Sequence, residues 1–303
     1  MKTFLILTKR NIKLYFKDKG LFFSSLITPV ILLVLYTTFL AEIYKNNVLS
    51  AIPEVMRTDS VLKLVDGVVS GEIVSSFLAV CCVTIAFSAN FIIVSDKVTG
   101  ARKDILVTPV KKSIVSLAYY FGSLISALII GFLSTGLGFI YIAIVGWYLS
   151  VTDVLLILLD VTLLSMFGTA FSSIINSFLS TQGQMSAVGT IVSAGYGFVC
   201  GAYMPISTFS KELQNVFAFL PGTYGTGLVR NHSLAGAFRA MEDEKLPSQL
   251  IEGLEKSMDC KITFFDHEIS QIAMYSIFIS SIVVLIGVYV LIGILRKRSK
   301  KAN

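Results

Sequence analysis

Charged side chains are scarce in this chain: Asp, Glu, Lys and Arg make up 15% of its 303 residues, against 54% hydrophobic ones. A soluble domain carries about a quarter charged residues, so a water-exposed globule is excluded. Histidine is rarer still. His232 and His267 are the only two, and neither has cysteines at zinc-ligand spacing, so no metal site is expected. Of the four cysteines, Cys81 and Cys82 fall within one apolar run, Cys200 near the end of another, and Cys260 alone in a loop. Unpaired loop cysteines do not make a disulfide framework. Catalytic and nucleotide-binding patterns are missing as well. There is no Gly-Lys dipeptide, hence no G-x-x-x-x-G-K-[ST] phosphate loop, and neither G-x-S-x-G nor H-E-x-x-H occurs. The chain is expected to bind no ATP in the P-loop manner and to catalyse nothing by itself.

What it has instead is long apolar runs, reflected in a mean hydropathy of +0.79. Six are marked, at residues 21–41, 73–94, 117–145, 154–178, 184–204 and 269–295. Each reaches the roughly 20 residues that cross about 30 Å of hydrocarbon. The short alternating segments of a β-barrel are missing. The first run is too long for a signal-peptide apolar core and no clear small-residue cleavage site comes after it, so it is expected to stay. The expected fold class is an all-α integral membrane protein with six transmembrane helices.

Lys and Arg set the orientation. With the N-terminus inside, segments 1–20, 95–116 and 296–303 hold 16 of the 25 basic residues, while 15 of the 19 acidic ones lie outside. Both termini are therefore expected on the cytoplasmic side. This distribution describes a positive inner face and argues against nucleic-acid binding. Segment 1–20 reads as a separate amphipathic interfacial helix ahead of a transmembrane domain over 21–303. Lys2, Lys9, Arg10, Lys13 and Lys17 share one side of it, suited to lipid phosphates, and Phe4, Leu5, Leu7, Ile12, Leu14, Tyr15 and Phe16 the other. Pro29 sits inside the first run near Ser24, Ser25 and Thr28, whose hydroxyls can serve a freed carbonyl.

Three further segments stand out. The loop 95–116 is polar and carries five basic residues with Gly100 and Pro109. One or two helical turns over Asp96–Val107, closed at Thr108-Pro109, would point a short charged helix at a soluble partner. Asp160 lies inside the fourth run. It is either a polar contact in a pathway or subunit interface, or a carboxylate reaching up to water or a nearby donor. After the fifth run, residues 205–231 are apolar yet broken at Pro221-Gly222, which fits two short helical pieces re-entering the outer leaflet. Residues 233–268 read as an external cap or loop, making 205–268 the external segment.

Two of these segments resemble the ABC-2 type permeases, the membrane subunits of type V-fold ATP-binding-cassette exporters. Asp96-Lys97-Val98-Thr99-Gly100, continuing through Leu106-Val107-Thr108-Pro109, is similar to the family's acidic-x-x-x-Gly…Leu-x-x-[Ser/Thr]-Pro element. Gly201…Pro205, then Pro221-Gly222-Thr223-Tyr224 and Arg230, resembles its Gly…Pro…Pro-x-x-Tyr…Arg element. Val98 and Lys103 stand where the family often has further acidic residues. The resemblance implies an N-terminal elbow helix and an ATPase-coupling helix with Asp96, Lys97, Gly100, Arg102, Lys103, Asp104, Thr108 and Pro109. It also implies re-entrant external helices forming a gate with Gly201, Pro205, Pro221, Tyr224 and Arg230. By the same resemblance the chain is an export subunit in a cell membrane, bacterial by expectation, for a lipophilic or amphipathic drug, peptide or lipid. Its partners would be a separate ATPase chain that holds ATP and Mg, a second permease subunit, and membrane lipid. A secondary transporter, receptor or assembly protein is the alternative; the first would want ionisable residues at mid-depth and internal repeats.

Overall fold

The computed structural model describes residues 2–265 and 267–295, without the side chains of Ser24 and Thr28. The basic stretch 296–301, counted in the orientation, lies outside the described residues, as do those two hydroxyls beside Pro29.

Helix α1 (Lys2–Lys17) is amphipathic as its pattern requires. Its buried stripe, however, is Thr8, Asn11 and Tyr15, while Leu5, Ile6 and Leu14 are exposed. Asn11 Nδ2 donates to the Ala118 carbonyl at 3.1 Å, and Leu7, Tyr15 and Phe16 also pack on protein, so α1 sits on a mixed stripe. Asp18 caps the next helix, accepting from Leu21 N–H at 3.0 Å.

The first long helical stretch comprises α2 (Lys19–Leu35), a π-helical turn (Tyr36–Leu40) and α3 (Ala41–Ala51). It continues past residue 41, where the apolar run ends. The second, α4 (Asp59–Ala89), begins well before the run at 73, capped by the Thr58 hydroxyl. The two polar extensions pack on each other, with Tyr44 and Val48 buried and Lys45 2.6 Å from Asp66. Hydropathy marks only the part of a helix that avoids water, whereas helix propagation continues while caps and partners allow.

After α4 the chain turns through α5 (Ile92–Val98) and α6 (Ala101–Val107), then runs through α7 (Lys112–Val145) and α8 (Val151–Phe178). Ser150 and Asp153 form a reciprocal capping box at the start of α8. Next come α9 (Gln182–Val199), α10 (Lys211–Ala218), α11 (Pro221–Asp243) and α12 (Ser248–Ser257). A short antiparallel hairpin, β1 (Thr263–Phe264) with β2 (His267–Glu268), leads into α13 (Gln271–Leu295).

Among the described residues, five helical stretches are long and apolar enough to cross a membrane: Lys19–Ala51, Asp59–Val98, Lys112–Val145, Val151–Phe178 and Gln271–Leu295. Helix α9, at the fifth apolar run, is not one of them. Its 18 residues span about 27 Å, and they include Gln182, Gln184 and four glycines.

Helix α4 is the buried axis, packed against α7, α8 and α11, while α2 and α13 face outward. The segment after residue 205 departs from the expected pair of short pieces. The break before Pro221 is present, but α11 is one 23-residue helix, largely buried from Gly222 to Phe238. Much of the expected 233–268 loop is likewise helical. Proline belongs at a first helical position, where its missing N–H costs nothing. The glycines of α11 let it lie close to its neighbours. Its passage against α4 depends on Gly71, where a Cβ would lie 2.5 Å from the Ser233 carbonyl oxygen.

Gly71→Ala is therefore expected to cost about 1–3 kcal/mol through overpacking against backbone. Gly136→Ala, where nothing lies within 4 Å, should cost nothing. Thermal melts of the two variants in nanodiscs check the contrast.

Candidate functional site: two polar clusters along a helical column

Midway along α4, beside Glu72, Arg230 is buried, with 1% of its side chain exposed. Its Nη2 lies 3.0 Å from Glu72 Oε1, and its Nη1 lies 3.3 Å from Asp259 Oδ2. Nη2 also donates to Ser76 Oγ at 3.1 Å and to the Gly201 carbonyl at 2.8 Å. Asp259 accepts in turn from the backbone N–H of Ile206, and from that of Ser207 at 2.9 Å. One guanidinium thus ties together α4, α11, the turn after α9 and the end of α12. Burial pushes the Asp259 carboxyl above the usual carboxylate range, against the pull of Arg230 and the two amides.

Of the gate residues drawn from the sequence, Gly201, Pro205 and Arg230 converge here. Gly201 has φ +76°, and a Cβ on it would meet Ile206 at 2.9 Å. Pro205 opens the turn that presents Ile206 and Ser207 to Asp259. Pro221 and Tyr224 sit at the start of α11 instead, where the Tyr224 hydroxyl donates to the Ala218 carbonyl at 2.7 Å and holds α10 in place.

Asp160, two-sided in the sequence, is 1% exposed and does not reach water. Its carboxylate accepts from the Tyr275 hydroxyl at 2.7 Å and lies 2.6 Å from His232 Nδ1. His232 Nε2 contacts the Gln271 amide at 2.8 Å. The group joins α8, α11 and α13.

At the C-terminal end of α4, Asn90 comes directly after the last helical residue. Its amide donates to the Thr169 carbonyl and to Ser172 and Ser173, and Ser123 donates to its Oδ1 at 2.9 Å. The helix continues into α5, where the residues read as partner contacts divide. Asp96 is buried between two donors: Arg10 reaches it through both terminal nitrogens, and the Tyr119 hydroxyl donates at 2.6 Å. Lys97 donates to the carbonyls of Asn176, Ser177 and Leu179, each at 2.7 Å, capping α8. Gly100 turns with φ +85° into α6. There Lys103, Asp104, Thr108 and Pro109 are exposed, Val107 is 86% exposed and Arg102 is half-buried. Arg10, read as a headgroup contact, turns inward instead, while Lys9, Lys13 and Lys17 stay exposed.

Several members of these clusters escaped the sequence reading. Glu72 stood at the edge of an apolar run and passed as a loop residue; only an α4 extended past that edge would have exposed it. Asp259, Tyr119, Gln271 and Tyr275 carry no local signal. All four cysteines are free and buried, including Cys260.

Long apolar helices around a buried axis, with polar clusters shut inside and a short charged helix projecting between two of the long ones, define a multi-pass α-helical membrane protein. Residues 2–232 match the family model described as ABC-2 type transporter, and the chain belongs to that family. It is accordingly the membrane component of a transporter. No curated protein matches it.

Removing Arg230 strands two carboxylates. Arg230→Ala is expected to destabilise the chain by about 3–5 kcal/mol. Combining Arg230→Met with Glu72→Gln and Asp259→Asn should recover most of that loss. Thermal melts of both variants decide it; an unaltered Arg230→Ala melt would show that the cluster does not hold these elements together.

Proposed function

We propose that this chain is the permease subunit of an exporter driven by a separate ATP-binding-cassette ATPase, which binds the ATP and Mg, and that it works beside a second permease subunit. Six crossings are assigned, with α9 as the fifth. Both termini are cytoplasmic, α1 is an elbow helix in the inner headgroup layer, and α10 with α11 re-enters from outside. The setting is the cell membrane, and the cargo is lipophilic or amphipathic, moved outward. The observation that carries the reading is α6. It offers an apolar tip at Val107 beside Lys103, Asp104 and Pro109, while the root of the hairpin is bonded into the bundle through Asp96 and Lys97.

That division gives a mechanism for coupling. A push on α6 is delivered to α5, and from there to α1 through Arg10, to α7 through Tyr119 and to the end of α8 through Lys97. Helix α4 continues the same column to Glu72 and Arg230, so movement at the cytoplasmic end changes the fit of the external cluster. The residues that meet the ATPase are Arg102, Lys103, Asp104, Thr108 and Pro109; Asp96, Lys97 and Gly100 anchor and aim them. The apolar faces of α2 and α9, exposed at Ile27, Val34, Ile191 and Phe198, supply a surface for the second subunit or for lipid.

A proton-coupled transporter is the second reading, favoured by the buried Asp160–His232 contact, since intramembrane ionisable pairs often mark proton paths. Gentle-detergent pull-down of the tagged chain, with mass spectrometry of the co-purifying proteins, separates the two. A roughly equimolar ATPase subunit supports export; the chain alone, also in nanodiscs, overturns it. In the reconstituted complex, charge reversal at Arg102 and Lys103 with Pro109→Ala should lower substrate-stimulated ATPase activity without lowering expression. Unchanged activity would remove α6 from the coupling path.

A further inference from the structure

Beside the Arg230 cluster lies a cavity of about 860 Å³, walled by α3, the turn at 205–208 and α12, with Glu72 at its floor. Charges on that floor do not balance. Glu72 and Asp259 share the single guanidinium of Arg230. Asp259 is further served by two backbone N–H groups, but Glu72 is not. The Arg230 nitrogen facing it is already donating to Ser76 and Gly201, and neither Glu72 oxygen makes a well-directed hydrogen bond among the described residues. The hydroxyl of Tyr44, on the α3 wall of the same cavity, is without one as well. Both side chains are deeply buried, with Glu72 0% and Tyr44 4% exposed. Lys256 on the α12 wall does not make up the deficit, since its ammonium lies 3.4 Å from Glu252.

Two buried carboxylates sharing one guanidinium leave a net negative charge, which costs free energy until a second cation or a proton offsets it. The rest of the lining suits an amphipathic body: Val48, Pro205, Leu250 and Met258 are apolar, and Asn47 and Thr208 are polar. We propose that this cavity binds the protonated amine of an amphipathic ligand, with Glu72 as counter-ion and the Tyr44 hydroxyl as a hydrogen-bond acceptor. Two acceptors in the lining favour an N–H donor over a quaternary ammonium, which has no proton to give. Under the export reading, on which this role rests, the cavity is a release-side site and the cargo includes amphipathic amines; binding itself requires no ATPase.

The test uses the full chain in nanodiscs of neutral lipid without ATPase, with empty nanodiscs as the partitioning control. Equilibrium binding is measured for 2-phenylethylamine, 2-phenylethanol and phenylacetate, probes matched in size and different in charge. The amine should bind about tenfold or more tightly than the other two, and Glu72→Gln should abolish that preference. Glu72→Gln leaves Arg230 paired with Asp259, so no buried charge is stranded. Tyr44→Phe removes one oxygen only and should weaken the amine by about three- to tenfold while leaving the alcohol unaffected. Equal binding of the three probes, or an amine preference that survives both substitutions, overturns the proposal. Loss of this preference with an ATPase still co-purifying would leave the export reading intact. Amine binding by a chain that recruits no ATPase would keep the site and remove export.

Discussion

A guanidinium cannot give up its proton, so Arg230, out of reach of solvent, has to be neutralised where it stands. That requirement organises one whole end of the molecule. Helix α4 must extend beyond its apolar stretch to bring Glu72 alongside. The polypeptide after α9 must reverse through the left-handed conformation of Gly201 so that its carbonyl faces the cluster. The distant α12 must end where Asp259 can take both the arginine and the amides of Ile206 and Ser207. Pieces far apart in the chain are held by one side chain, and the α11 that bears it is thereby fixed to the axis of the bundle.

The same axis links that cluster to the opposite end. Asn90 closes α4 against α7 and α8 with a set of hydrogen bonds that a hydrocarbon environment would leave without competitors. The helix then resumes as α5, whose Asp96 and Lys97 are spent on the bundle itself, while α6 presents its charges to solvent. Residues that look alike in sequence, a string of charges between two spans, thus serve two purposes. Those before Gly100 anchor, and after it Lys103 and Asp104 stay exposed. Asp160 belongs with the anchors. Its bonds to Tyr275 and His232 join three helices and keep a carboxylate inside an otherwise apolar layer.

How much was legible in the sequence depended on the range of the interaction. The amphipathic face of α1, the long apolar helices, the break before Pro221 and the turn at Gly100 all derive from spacing and from the dihedral limits of proline and glycine, which are local. Helix ends were misjudged wherever polar residues found partners, as Lys45 did with Asp66 and as Glu72 did with Arg230. On α1 the buried stripe took in Thr8 and Asn11 beside Tyr15, because Gly122 and Ala118 lie opposite those two polar residues.

The sequence alone determined that this is a helical membrane chain with a basic amphipathic leader helix, a charged loop after the second apolar run, and the motifs that assign its family. These rest on composition and on patterns that repeat within a few helical turns. Only the tertiary structure decided which charges are neutralised inside. That Glu72 and Asp259 flank Arg230, that Arg10 leaves the headgroup face for Asp96, and that Asp160 meets His232 depend on contacts across 29 to 158 residues of chain. Burial makes each such pairing obligatory, but which groups meet is set by how the helices cross.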